Sequence, residues 1–131
     1  IKLAESLNLQ EMILFKGNVK NPFRYYKNAL FTISTSKYEG MPMVLLESLA
    51  CETPIISWNY ASGPSEIITN ESNGLLVENQ NSEKLIEAIN LFVSDNNLYL
   101  HCKENALASV KQFSLDAIGA EWLKVFEKQR T

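Results

Sequence analysis

The sequence has one histidine, two cysteines and no dense block of lysine and arginine in its 131 residues, and each scarcity removes a class of explanation. Cys51 and Cys102 form at most one bridge and stand in no metal-ligand spacing. Neither a disulfide scaffold nor a structural metal module is encoded, and a reducing cytoplasm is the expected compartment. His101 stands alone in Leu100-His101-Cys102, on a helical stretch where catalytic use has little support. Twelve basic against fifteen acidic residues give a net charge of -3, with no cluster that tracks a phosphate backbone, so nucleic acid is not an expected partner. No apolar run approaches the roughly 18–20 residues that span a bilayer, and the N-terminus lacks the order of a signal peptide. Internal repeats, low-complexity tracts and linkers are missing as well. What is present is 46% hydrophobic residues, enough for one globular domain with a real core. The chain opens at Ile1 and runs straight into an amphipathic pattern, which leads to the expectation of a piece of a longer polypeptide.

Helix and strand signals alternate. Leu3, Ala4 and Leu7 have helical spacing within residues 1–9, and Met12 to Phe15 reads as a strand ending at Gly17. Asn21-Pro22 opens a second helix and Leu30 to Ser34 follows as a strand. Pro42 to Cys51, Pro54 to Trp58, Pro64 to Thr69 and Leu75 to Val77 continue as helix, strand, short helix and strand. Short strands that are apolar throughout, separated by helices, predict an α/β fold: a Rossmann-like parallel sheet with helices on both faces and right-handed crossovers. After Glu78 only helices are predicted. Ser82 is the expected N-cap of one carrying Leu85, Ile86, Ile89 and Val93 on a face. Leu98, Cys102, Ala106, Val110 and Phe113 mark the next. Leu115, Ile118, Trp122, Val125 and Phe126 mark the last, after a break at Phe113-Ser114, with Trp122 expected to pack it down.

The chemistry concentrates in Ser36 to Pro54, which reads SKYEGMPMVLLESLACETP. In an open parallel sheet ligands bind beyond the carboxyl ends of the strands, where helix N-termini also point, and Glu39 falls there. Gly40-Met41-Pro42 then turns into a helix whose first amides, near Met43 and Val44, form a seat for phosphate at the positive end of the dipole. Gly40 permits close approach of a ligand to the backbone. Glu47 is anomalous, because Met43, Val44, Leu45, Leu46, Leu49 and Ala50 leave it almost no polar face. An unpaired buried carboxylate is costly, so Glu47 needs a partner. Solvent or an arginine would serve, and so would the vicinal hydroxyls of a ribose. Tyr25, Tyr26 and Tyr38 could stack on a ligand, although packing is the commoner use of aromatics near a sheet edge.

These residues resemble the C-terminal, donor-binding domain of the retaining glycosyltransferases of family 4, which have the two-domain GT-B fold. The hallmark of that family is a Glu, seven residues and a second Glu, matched by Glu39 to Glu47. The likeness extends through Phe15-Lys16-Gly17-Asn18-Val19, Thr53-Pro54-Ile55-Ile56, Gly63-Pro64-Ser65-Glu66-Ile67-Ile68 and Asn73-Gly74-Leu75-Leu76-Val77. It implies a partial GT-B C-terminal domain over residues 1–95, binding a nucleotide sugar, and an all-helical tail over 96–131 packing on the same domain. By the resemblance, Glu39 binds hydroxyls of the donor sugar and is the catalytic residue. The amides of Gly40 and Met41 approach that sugar, those of Met43 and Val44 hold the diphosphate, and Glu47 takes the ribose hydroxyls. Gly17, Asn18 and Val19 line the base pocket.

The implied reaction moves a sugar, with retention of configuration, from a nucleotide-sugar donor to a glycan or lipid-linked acceptor in bacterial polysaccharide or glycan biosynthesis. UDP-hexose or UDP-N-acetylhexosamine is the implied donor. No metal and no cofactor is expected. The acceptor would be held by an N-terminal domain outside this sequence, so the isolated chain is expected to be inactive. The whole protein is expected in the cytoplasm, with the inner face of the membrane as an alternative site through peripheral association. A reading of another class stays open: a noncatalytic Rossmann-like module binding a nucleotide or a protein. Glu52 and Asn59 depart from the family pattern, which has Gly and often Asp there. Glu66 either complements a helix dipole or lies near the donor.

Overall fold

The computed structural model describes residues 1–128; Gln129, Arg130 and Thr131, the end of the predicted 96–131 tail, lie outside the described residues. Two short helices, α1 (Lys2–Ser6) and α2 (Phe23–Asn28), precede the sheet. The apolar runs then become β1 (Thr32–Ser34), β2 (Ile55–Asn59) and β3 (Gly74–Glu78), parallel and ordered β1-β2-β3. Thr32 pairs with Ile55, and Ile55 with Gly74. A Cβ on Gly74 would collide with the Ile55 carbonyl oxygen, so β3 can start this close to β2 only at a glycine.

Successive side chains on a strand face opposite sides, and the central strand divides the core accordingly. Ile55 packs with Leu45, Leu49, Ile67, Ile68 and Ala106. Ile56 packs with Leu75, Val77, Phe92 and Cys102. The first face is covered by α3 (Met43–Ala50) and α4 (Pro64–Ile67), and the second by α5 (Ser82–Ser94). Helix α6 (Asn96–Ser109) serves both, giving Ala106 to one cluster and Cys102 to the other. Full burial of a Leu or Ile is worth roughly 1.5–3 kcal/mol, and Leu45, Leu49, Ile55 and Ile56 are all at 0% exposure. The predicted Rossmann-like parallel sheet with helices on both faces is therefore the fold. Asn73, also buried, satisfies itself by donating to the Ile67 carbonyl at 3.0 Å and accepting from the Thr69 amide at 2.9 Å.

Four expectations need correction. Met12 to Phe15 forms no strand; Met12 and Leu14 are 81% and 73% exposed, and no neighbouring strand among the described residues offers its backbone groups partners. Asn81, not Ser82, caps α5, because its carboxamide oxygen accepts from the Lys84 amide at 3.0 Å. The buried stripe of α5 is Leu85, Ala88, Ile89 and Phe92, which leaves Ile86 and Val93 outside it. The break at Phe113-Ser114 is real: a 3-10 turn (Lys111–Phe113) leads to α7 (Leu115–Lys128), where the Ser114 hydroxyl accepts from the Ala117 amide. Yet α7 buries no residue, and Trp122, at 55% exposure, stacks on Phe126 of its own helix instead of packing it down.

Candidate functional site

Strand β1 ends at Ser34, and the chain loops over residues 35–42 before entering α3. Two serines fix Glu39 in that loop. The Ser36 hydroxyl donates to Glu39 Oε1, and the Ser62 hydroxyl donates to the Glu39 carbonyl oxygen at 3.1 Å. Ser62 stands beside Gly63, whose φ of 102° is left-handed and whose missing side chain makes room for the Pro42 ring. The Gly63-Pro64 turn is thereby seated on the start of α3.

Half-buried, Glu39 opens onto a cavity of about 460 Å³ with Tyr26, Thr32, Ser34, Ser36 and Val44 in its walls. Helix α3 begins at buried Pro42, which has no amide to donate, and no side chain caps it. Among the described residues the amides of Gly40, Met41 and Val44 find no acceptor, so three donors stand free beside a positive dipole end. Met43 differs from expectation. Its amide turns back to the Met41 carbonyl at 2.9 Å and is already engaged.

Glu47, on α3, is half-exposed, and the Tyr26 hydroxyl donates to its Oε2 at 3.2 Å. No lysine or arginine pairs with it among the described residues. Glu47 does not line the Glu39 cavity; it lines a separate groove with Phe23, Met43 and Phe113, while Tyr26, its hydrogen-bond donor, lines the Glu39 cavity. Burial, then the charge of Glu47, pushes the Tyr26 pKa up to about 12, so this phenol is a constant donor at neutral pH. Tyr60 is 2% exposed and its pKa is also raised, by burial first and the Glu39 charge next. Ser34 is near enough to oppose that rise, yet no well-formed hydrogen bond reaches the Tyr60 hydroxyl.

Other singled-out residues fall outside this cluster. Gly17, Asn18 and Val19 form an irregular loop, with Gly17 left-handed at φ 60°, and none lines the Glu39 cavity. His101 is exposed on α6 beside Asn105. Glu66 is exposed in the first turn of α4, placed to complement its dipole. Glu52 follows the C-cap of α3 with φ 60°, the left-handed conformation glycine prefers. From the sequence Tyr26 reads as a packing residue or a ring stacked on a ligand, not as a donor to Glu47, and neither Ser36 nor Ser62 stands out as a partner of Glu39. Only the partnerless state of Glu47 hinted that some donor had to exist. No group of three His, Cys, Asp or Glu side chains able to hold a metal occurs among the described residues.

Known proteins resemble this chain in sequence and fold. The family described as glycosyl transferases group 1 matches residues 1–108. A Campylobacter jejuni N-acetylgalactosamine-N,N'-diacetylbacillosaminyl-diphospho-undecaprenol 4-alpha-N-acetylgalactosaminyltransferase is 32% identical over 95% of this chain and 34% of its own length. The crystal structure of a Staphylococcus aureus TarM mutant with fondaparinux, alpha-GlcNAc-glycerol and UDP superposes with a TM-score of 0.87, at 27% identity over 95% of this chain and 26% of that one. The C-terminal domain of a group 1 glycosyl transferase from Francisella tularensis shares the fold, with a TM-score of 0.70 at 24% identity over 85% of this chain and 58% of that one. The chain spans about a third or less of the length of the curated relatives it matches, from 34% down to 13%.

Proposed function

We propose, from the premise that this chain belongs to the glycosyl transferases group 1 family, that it forms the nucleotide-sugar site of a retaining family 4 sugar transferase with the GT-B fold. One observation carries this reading: Glu39, fixed by two serines, and Val44 in the uncapped first turn of α3 open on a single cavity, with Glu47 one turn further along the same helix. A carboxylate can accept sugar hydroxyls. Free amides at a helix start can take a diphosphate.

In this reading Glu39 orients the donor sugar next to the reacting carbon. The amides of Gly40 and Met41 approach that sugar, and the Val44 amide receives the diphosphate. Glu47 takes the ribose diol, and the loop at Gly17, Asn18 and Val19 receives the base. The bond between the anomeric carbon and the diphosphate oxygen breaks, and the acceptor oxygen bonds to that carbon on the same face. The acceptor proton passes to the departing diphosphate. Preorganised amides and the dipole stabilise the charge developing on the leaving group, which lowers the barrier without any metal. Glu39 contributes position and favours positive character in the sugar.

A UDP-hexose or UDP-N-acetylhexosamine donor is supported by the UDP in the TarM complex and by the N-acetylgalactosaminyl transfer named for the Campylobacter relative. That relative's diphospho-undecaprenol substrate supports a lipid-linked or glycan acceptor, with peripheral association at the cytoplasmic face of the membrane. No helix among the described residues is long and apolar enough to cross a membrane.

The test uses the intact protein with a UDP-sugar panel. Glu39→Gln is expected to lower turnover on the order of 10²-fold while donor affinity changes little, the size of effect that misplacement of a reacting group produces. Glu47→Gln is expected to weaken donor binding by roughly tenfold or more, as loss of a charged hydrogen-bond acceptor does. Unchanged affinity and rate in both variants would reject the site.

A further inference from the structure

We infer that Tyr26 is a positioning residue that aims the Glu47 carboxylate at the nucleotide, an inference that rests on the donor-site reading above. Tyr26 lies 21 positions before Glu47 on a different helix, and its backbone is pinned where the two elements meet. The Thr53 hydroxyl donates to the Tyr26 carbonyl oxygen at 2.8 Å, and the Ser48 hydroxyl of α3 joins Thr32 Oγ1 and the Thr53 carbonyl oxygen at 2.8 and 2.9 Å. This buried thread connects α2, β1, α3 and the approach to β2. Its effect is to set the distance from the Tyr26 ring to α3.

The ring itself is half-buried, meets Phe23 edge-on at 6.5 Å, and walls the cavity that holds Glu39. Tyr26 thus lines the cavity of one acid while its hydroxyl bonds to the other. The bond from Tyr26 to Glu47 Oε2 is the one hydrogen bond this carboxylate accepts among the described residues, so the carboxylate is oriented but not saturated. Oε1 and the unused lone pairs of Oε2 stay available to a pair of adjacent hydroxyls.

The choice of donor matters. A lysine or arginine here would neutralise Glu47 and occupy its oxygens, whereas a phenol orients the charge and leaves it intact. An intact carboxylate makes stronger hydrogen bonds to a diol than a neutralised one. A glutamate side chain also loses rotamer freedom when a ligand fixes it. A carboxylate already held by Tyr26 has less of that freedom left to lose on binding.

The experiment measures calorimetric dissociation constants of the intact protein for UDP and for 2′,3′-dideoxy-UDP, which lacks the diol. Tyr26→Phe is expected to weaken UDP binding roughly three- to tenfold, the span of one ordinary hydrogen bond, and to leave dideoxy-UDP binding unchanged. Glu47→Gln should show the same selectivity with a larger loss. Unaltered dideoxy-UDP binding also certifies that the variant site is folded. An equal loss for both nucleotides would make Tyr26 a packing residue and overturn the inference. If Glu47→Gln loses diol-dependent affinity and Tyr26→Phe does not, the positioning role fails and the donor site stands. If Glu47→Gln loses nothing, or the unmodified protein binds neither nucleotide, the donor-site reading falls and the role of Tyr26 with it.

Discussion

Helices α3 and α7 carry similar sequence signals and meet opposite fates. Both place apolar residues at helical spacing. Within eight residues α3 buries Leu45, Ser48 and Leu49 completely, while the fourteen residues of α7 bury none. Periodicity marks a face that gains from being covered, and cover requires a surface at the right place. For α3 that surface is the Ile55 face of the sheet, reached directly from β1 through a short loop. For α7 the described residues provide none, and Trp122 and Phe126 stack on each other. The contrast has a functional side. A helix clamped into the core can hold an uncapped N-terminus and two flanking acids in fixed geometry, and a helix on the outside cannot.

The comparison is tested most severely by truncating one apolar residue in each helix. Leu49→Ala in α3 is expected to cost roughly 2–5 kcal/mol of stability, the range for deleting a fully buried leucine. Leu115→Ala in α7, at 88% exposure, is expected to stay within about 0.5 kcal/mol. Denaturant unfolding of both variants reads the difference. Equal losses would show that α7 is packed in the working protein.

A smaller effect comes from the link between α2 and α3. The Tyr26 pKa is raised from 10 to about 12 in the folded protein, so folding favours the protonated phenol. Its contribution is fully present below pH 10 and is lost as pH rises through about 12. Unfolding midpoints from pH 9 to 12 should therefore fall more steeply for the unmodified protein than for Tyr26→Phe. Parallel profiles would show that the phenol is not held in the folded state.

A change of opposite sign is expected at the far end of α3. Glu52 holds a left-handed φ of 60° that costs a side-chain-bearing residue about 1 kcal/mol or more, part of which glycine returns as unfolded-state entropy. Glu52→Gly is expected to raise stability by about 0.5–1 kcal/mol in thermal unfolding. A loss of stability would mean that the Glu52 side chain makes a compensating contact.

The legible parts of the molecule were those where local chemistry and tertiary context agree. Gly40-Met41-Pro42 before Met43–Ala50 could be read as a helix start, and the Phe113-Ser114 break as the end of one helical run, because proline and a capping serine act within a turn of themselves. The boundaries of β2 and β3 were legible for a similar reason, with Gly74 marking the entry to β3. Met12 to Phe15 misled, since a β-branched and apolar run states a preference for pairing without providing the partner strand. Asn81 and Ser82 are both good caps in sequence, and only the backbone turn selects Asn81.

The candidate site divides the same way. Sequence alone determined that an acid would stand at the carboxyl end of β1, that a proline-led helix would follow it, and that a second acid eight positions on would lack a polar face. These are consequences of spacing and covalent geometry. Tertiary structure alone decided that Tyr26 would satisfy Glu47, that Ser36 and Ser62 would clamp Glu39, and that Met43 would spend its amide on Met41. Those contacts join residues distant along the chain or depend on one turn of backbone. For Tyr26 and Ser62, only packing α2 and the Gly63-Pro64 turn against α3 brings the atoms within hydrogen-bond reach.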